Sequence, residues 1–174
     1  MQSTLVAPPS NPASAAKADE RAGKYLTFMI DKEEFGVGVL TVREIMGIQD
    51  ITAVPQTPAY VKGVINLRGK VIPVIDLRLK FGLPSVEHMQ RTCIIVVQVK
   101  SNAGDLLMGI IVDEVSEVIT MASGDIEDTP DFGTSIATHY ILGMAKIKGK
   151  VKILLDINEV LTSPELSGLS SAIQ

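Results

Sequence analysis

The chain has 174 residues, 46% of them hydrophobic, and a formal net charge of −4. That length can bury the core of one compact domain or two small ones, and the charge excludes the concentrated positive field that nucleic acid demands. One cysteine, Cys93, excludes an intramolecular disulfide and fits a reduced, cytosolic setting.

Residues 1–23, MQSTLVAPPSNPASAAKADERAG, have neither a basic leader nor a continuous apolar stretch, and Pro8, Pro9 and Pro12 break any helix. They read as a flexible tail and not as a signal peptide. No apolar run approaches the roughly 18 residues of a membrane helix, so a soluble cytoplasmic protein without membrane insertion is expected. With no Trp and 4% aromatic residues, Val, Ile and Leu must fill the core, a composition that favours strands.

The folded part is expected from Lys24. Leu26, Phe28 and Ile30 alternate with Tyr25, Thr27 and Met29, as in a strand covered on both faces. Asp31 to Glu34 form a polar turn, and Phe35, Val37 and Val39 resume the alternation. Val39, Val42, Ile45 and Met46 then fall at helical spacing, which predicts a short helix over 39–46. Pro55 and Pro58 mark an irregular connection. Gly63–Leu67 and Val71–Ile75 flank Arg68-Gly69-Lys70, the pattern of a β-hairpin with Gly69 at its turn. Pro73 lacks an N–H and predicts an edge strand or a bulge. Asp76 is placed to cap a helical turn beginning at Leu77. Cys93–Val99 and Leu106–Val112 read as strands around a Ser101–Gly104 turn. Residues 125–138 read as loop, 140–157 as strand-rich, and 162–174 as a C-terminal tail with a short helix over 165–169.

Two motifs recur in the same order. YVKGVINLRGKVIPVIDL (60–77) aligns without a gap on YILGMAKIKGKVKILLDI (140–157), matching Tyr60, Gly63, Gly69, Lys70, Val71 and Asp76 to Tyr140, Gly143, Gly149, Lys150, Val151 and Asp156. FGVGVLTVREI (35–45) aligns on MGIIVDEVSEV (108–118), matching Gly36, Val39, Val42 and Glu44 to Gly109, Val112, Val115 and Glu117. The chain is therefore expected to hold two copies of a small β module, about 24–85 and 86–161, with a groove between them.

Chemistry-bearing patterns are sparse. His88, His139 and Cys93 are not spaced as metal ligands, Cys93 opens an apolar strand, and no nucleophile elbow is present. Gly36-Val37-Gly38 lacks the third glycine and the lysine of a phosphate loop. Lys146, Lys148, Lys150 and Lys152 alternate and are expected on one face of a strand pair. Neither a cofactor nor an enzymatic reaction is expected. Arg68 is either a solvated turn residue or a fork of donors for a carboxylate, with Glu44 as the acid to pair with it.

These motifs carry a family resemblance. EEFGVGVLTVREI, TPAYVKGVINLRGKVIPVIDLRLKFG, GIIVDEVSEVI and YILGMAKIKGKVKILLDINEVL closely resemble the CheW family, the coupling proteins of bacterial chemotaxis, over 24–161. The signature runs from Asn66 to Arg78. The resemblance implies a mostly β fold of two intertwined SH3-like barrels with a few short helices and no catalysis. It implies two partners: the cytoplasmic hairpin tip of methyl-accepting chemotaxis receptors, received in the groove, and the regulatory domain of the histidine kinase CheA. It places Val42, Glu44, Gly63 and Arg68 in the functional region, with Val96, Val115 and Val118 as candidates for the apolar wall of the groove. The implied location is the cytoplasmic side of receptor arrays. The rival readings are a CheW-like adaptor of a non-flagellar system such as twitching motility, and a small β-barrel that binds a ligand.

Overall fold

A computed structural model describes residues 20–101, 104–130 and 139–161. The strands are β1 (Gly23–Ile30), β2 (Glu33–Gly38), β3 (Val42–Gly47), β4 (Val61–Leu67), β5 (Lys70–Asp76), β6 (Cys93–Ser101), β7 (Gly104–Val112), β8 (Glu114–Met121), β9 (Ile126–Glu127), β10 (Ile141–Ile147) and β11 (Lys150–Leu155). They form two sheets, ordered β8-β1-β2-β11-β10-β9 and β3-β6-β7-β5-β4. Single helical turns, Leu77–Lys80 and Ile157–Leu161, follow β5 and β11. The architecture is mostly β, two SH3-like barrels.

The duplication seen in the sequence is a duplication in space. β4 and β5 pair with a bulge between Val61 and Gly63, and β10 and β11 pair with a bulge between Ile141 and Gly143. In each copy the cap aspartate donates its N–H to a tyrosine carbonyl: Asp76 to Tyr60 at 2.8 Å and Asp156 to Tyr140 at 2.9 Å. The Asp76 carboxylate also accepts from the Arg78 N–H at 2.9 Å, the cap the sequence predicts. β5 runs parallel to β7, with Val74 opposite Gly109, and β11 runs parallel to β2, with Leu154 opposite Gly36. The first sheet thus takes strands from both ends of the chain, and β3–β7 form the second. A cut near residue 85 passes through the second sheet.

Three apolar clusters follow from this layout. Ile65, Ile72, Val74, Ile94, Val96 and Ile111 fill one barrel. Tyr25, Met121, Ile126, Ala145 and Leu154 fill the other. The largest lies between the sheets, where Phe28, Ile30 and Val37 meet Ile75, Ile95, Val97 and Ile110. Each such side chain contributes about 1.5–3 kcal/mol on burial, so the seam between the barrels is core and not a loose contact.

Several expectations are corrected here. Val39–Met46 is a 3-10 turn (Val39–Thr41) followed by β3, not a helix. A bulge lies between Val42 and Glu44 where β3 pairs with β6, and its extra residue turns the two-residue alternation into a spacing that imitates a helix. Pro73 sits in an interior strand. It is tolerated because Val64, opposite it, bonds to Thr52 instead, and because pairing to β7 begins one residue later, at Val74. Residues 126 and 127 form a short strand within the expected loop. The expected helix over 165–169 lies outside the described residues. At the end of the expected tail, Arg21 is buried and donates to Asp128 Oδ1 at 3.0 Å and to the Leu142 carbonyl at 3.1 Å. Gly143 leaves room for its guanidinium, since a Cβ there would lie 3.0 Å from Arg21 Nη1.

One buried cation ties the sheets together. Arg78, after β5, reaches Asp113 at 2.5 Å between β7 and β8, and Asp31 at 3.3 Å in the β1–β2 turn. Its Nε donates to the Pro84 carbonyl, and Asp113 also accepts from the Asp31 N–H at 2.7 Å. Removing one partner of a buried pair leaves charge uncompensated, so Arg78→Ala is expected to cost about 3 kcal/mol in urea unfolding. Arg78→Lys should recover only part, because an ammonium cannot reproduce the fork.

Candidate docking site

The hairpin turn between β4 and β5 puts two residues in left-handed backbone, Arg68 at φ 53° and Gly69 at φ 85°. The turn is held by Asn66, whose Oδ1 accepts from the Gly69 N–H at 2.8 Å. This geometry carries the Arg68 side chain across to β3, where Nη2 meets Glu44 Oε1 at 2.7 Å. The acid expected from the sequence is therefore the partner. Arg68 is 74% exposed and Glu44 28%, so the pair lies at the surface with the rest of the guanidinium open to solvent.

The remaining expected residues divide. Val42 and Val115 are half-buried at equivalent places in the two copies, and both pack on the central core. Val118 is 53% exposed on β8 and available to a partner. Val96 is fully buried inside the second-sheet barrel and cannot wall a groove. It belongs to β6, which has strands on both sides and is covered on both faces, with Ile95 and Val97 turned to the central core. Gly63 is buried with φ 142°, and a Cβ there would sit 2.0 Å from the Thr52 carbonyl oxygen. Its role is to let Thr52 and Val64 exchange bonds of 2.9 and 2.8 Å that tie the Pro55 connection to β4.

Sequence reasoning missed two exposed apolar residues on the strands of the same barrel. Ile45 follows Glu44 and is 46% exposed, and Val71, just past the turn, is 52% exposed. The sequence carried no signal for them, because the exposure of Arg43, Ile45 and Gly47 follows from the pairing of β3 with β6. Their counterparts in the other copy, Val118 and Val151, are exposed too. The four-lysine face is also corrected. Across a two-residue turn an odd-numbered residue faces an even-numbered one, so Lys150 and Lys152 share a face with Ile147 and Ala145, while Lys146 lies opposite Val151.

Reactive groups are dispersed. Among the described residues no three His, Cys, Asp or Glu side chains gather as metal ligands. Burial pushes the Cys93 thiol up, a hydrogen bond to the Val115 backbone opposes this, and Glu114 adds to the rise. Burial likewise raises the Tyr25 hydroxyl against the pull of Arg21, and that hydroxyl donates to the Arg21 carbonyl at 2.6 Å.

Residues 24–165 match the model of the CheW-like domain. The chain is 38% identical over 151 residues to the chemotaxis protein CheW of Klebsiella aerogenes, covering 86% of this chain and 89% of that one. It is 38% identical over 153 residues to the CheW of Rhizobium meliloti, covering 87% and 96%. Among solved structures, the scaffolding protein TtCheW of Thermoanaerobacter tengcongensis is similar with a TM-score of 0.73 and 33% identity, over 83% of this chain and 95% of that one.

Three outcomes are expected. Gly63→Ala should cost about 3 kcal/mol, because the new methyl meets backbone that cannot yield, whereas Gly69→Ala, with open space and only left-handed strain, should cost about 1–2 kcal/mol; chemical denaturation measures both. A raised folded pKa gives stability that is complete below the unfolded value and lost as pH rises through the folded one. Stability should therefore hold at neutral pH and fall as pH climbs past 9 and then 10, the ordinary values for Cys93 and Tyr25. Native Cys93 should react with a thiol reagent at pH 8 several-fold more slowly than the unfolded chain.

Proposed function

The chain belongs to the CheW-like family, and from that premise we propose that it is an adaptor without a reaction of its own. It couples the cytoplasmic hairpin tips of methyl-accepting chemotaxis receptors to the regulatory domain of the histidine kinase CheA. The observation that carries this reading is the exposed Arg68–Glu44 ion pair, on a barrel whose strands β3 and β5 also expose Ile45 and Val71. Exposed ion pairs contribute about 0–1 kcal/mol to folding. An exposed arginine on a barrel that also exposes apolar side chains instead fits a protein interface, where arginine is enriched relative to the rest of the surface.

Val118, on the other barrel, supplies an apolar contact for an amphipathic receptor helix lying along the seam, whose flanks are Val42 and Val115. Among the described residues no helix is long and apolar enough to cross a membrane, so the adaptor reaches the membrane through its receptors. Single contacts of this size are moderate, because association costs translational and side-chain freedom. Repetition across an array multiplies them.

The test is reconstitution with a receptor fragment and the kinase, measuring phosphorylation with and without this protein. Arg68→Ala should lower coupling about tenfold, the equivalent of 1.4 kcal/mol at the interface, while unfolding free energy changes by less than about 1 kcal/mol. Val118→Asp should weaken receptor-fragment binding to a similar degree with the fold intact. Unchanged coupling in a folded Arg68→Ala protein would overturn the reading.

A further inference from the structure

The two barrels share a backbone plan but differ at one gap. Each is pinned by a short bridge: Thr52 to Val64 in one, and β9 to Met144 and Ala145 of β10 in the other. Beyond each bridge, towards the hairpin turn, the barrel wall has no strand-to-strand pairing among the described residues. In the second-sheet barrel the Arg68–Glu44 ion pair spans that place at 2.7 Å. In the first-sheet barrel the equivalent residues are Lys148 and Glu117, and they are not paired. Glu117 is drawn instead to Lys152 at 3.6 Å, which Glu34 also holds at 2.9 Å. The positions matching Lys152 and Glu34 in the other copy are Ile72 and Leu107, which pack in that barrel's interior.

The result is a hollow of about 750 Å³ between β8, an end strand of its sheet, and the β10–β11 turn. Ile119, Met121 and Ile147 line it, and Lys148 and Lys150 stand in it without an ion-pair partner among the described residues. Lys148 is held in left-handed backbone at φ 51°, as Arg68 is in the other turn.

We propose that this hollow is a docking site for an extended acidic peptide segment of a partner protein. The segment lies beside β8, whose outer edge is unpaired among the described residues, its carboxylates meet Lys148 and Lys150, and its apolar side chains cover Ile119 and Ile147. Glu34, Glu117 and Asp125 also line the hollow. They repel a dense anion such as phosphate but leave room for carboxylates spaced along a strand, which favours a peptide. The site is independent of the Arg68 surface.

The test titrates a short peptide of alternating glutamate and leucine into the isotope-labelled full chain and follows backbone amide shifts. Shifts confined to 117–125 and 146–152 are expected, and none with the glutamine counterpart. Lys148→Ala with Lys150→Ala should weaken binding roughly tenfold, as loss of two charge-assisted contacts requires. Lys70→Ala, the position matching Lys150 in the other copy, should leave it unchanged. If the alanine pair unfolds, Lys148→Gln with Lys150→Gln replaces it. Equal binding of the glutamine peptide, identical shifts from inorganic phosphate, or undiminished binding in a folded double variant would each overturn the proposal.

Discussion

Two parallel strand contacts hold the architecture together. Val74 lies against Gly109, and Leu154 lies against Gly36, so the same pair of repeat positions meets twice. At each contact the glycine is closely packed, at Gly36 against the parallel partner itself and at Gly109 against the antiparallel neighbour β6. A Cβ on Gly109 would come within 2.9 Å of Ile94, and one on Gly36 within 3.1 Å of Leu154. Each contact also splices a hairpin from one part of the chain onto a strand from another. The barrels are therefore interleaved, and the seam between them becomes the largest apolar core.

On that common frame the side chains have diverged. Arg78 clamps the sheets through two aspartates, and its counterpart Asn158 instead accepts the Lys100 N–H at 2.8 Å. Arg68 bridges its barrel wall, while Lys148 stands apart from Glu117. Ile72 is oil where Lys152 is a buried cation held by Glu34. Duplication supplies the same backbone twice, and charge placement makes the two ends different surfaces.

Much of this was legible in the sequence because it depends on local rules. The hairpin around Gly69, the Asp76 cap and the two repeats each need only a few adjacent residues, and the Arg68–Glu44 pairing followed from placing both in one module. What was not legible depends on partners far away in the chain. The bulge at Arg43 is set by pairing with β6, and without that strand the apolar spacing imitates a helix. Val96 looks like any surface-capable valine until β3 and β7 cover β6 from both sides. Arg21 sits at the end of a polar stretch, and nothing beside it announces that Asp128 and Leu142 will enclose it.

The interleaving also fixes an order of events at the ribosome. β3 to β7 are contiguous, so the second sheet has all its strands once Val112 has emerged. β2 must wait for β11, which ends at Leu155, before its second edge is covered. At the roughly 5–20 residues per second of translation, the nascent chain spends seconds with one barrel able to close and the other's β1–β2 hairpin bare along one side. An open strand edge of this kind invites mispairing, so the late hairpin that completes the sheet is also what ends the vulnerable interval.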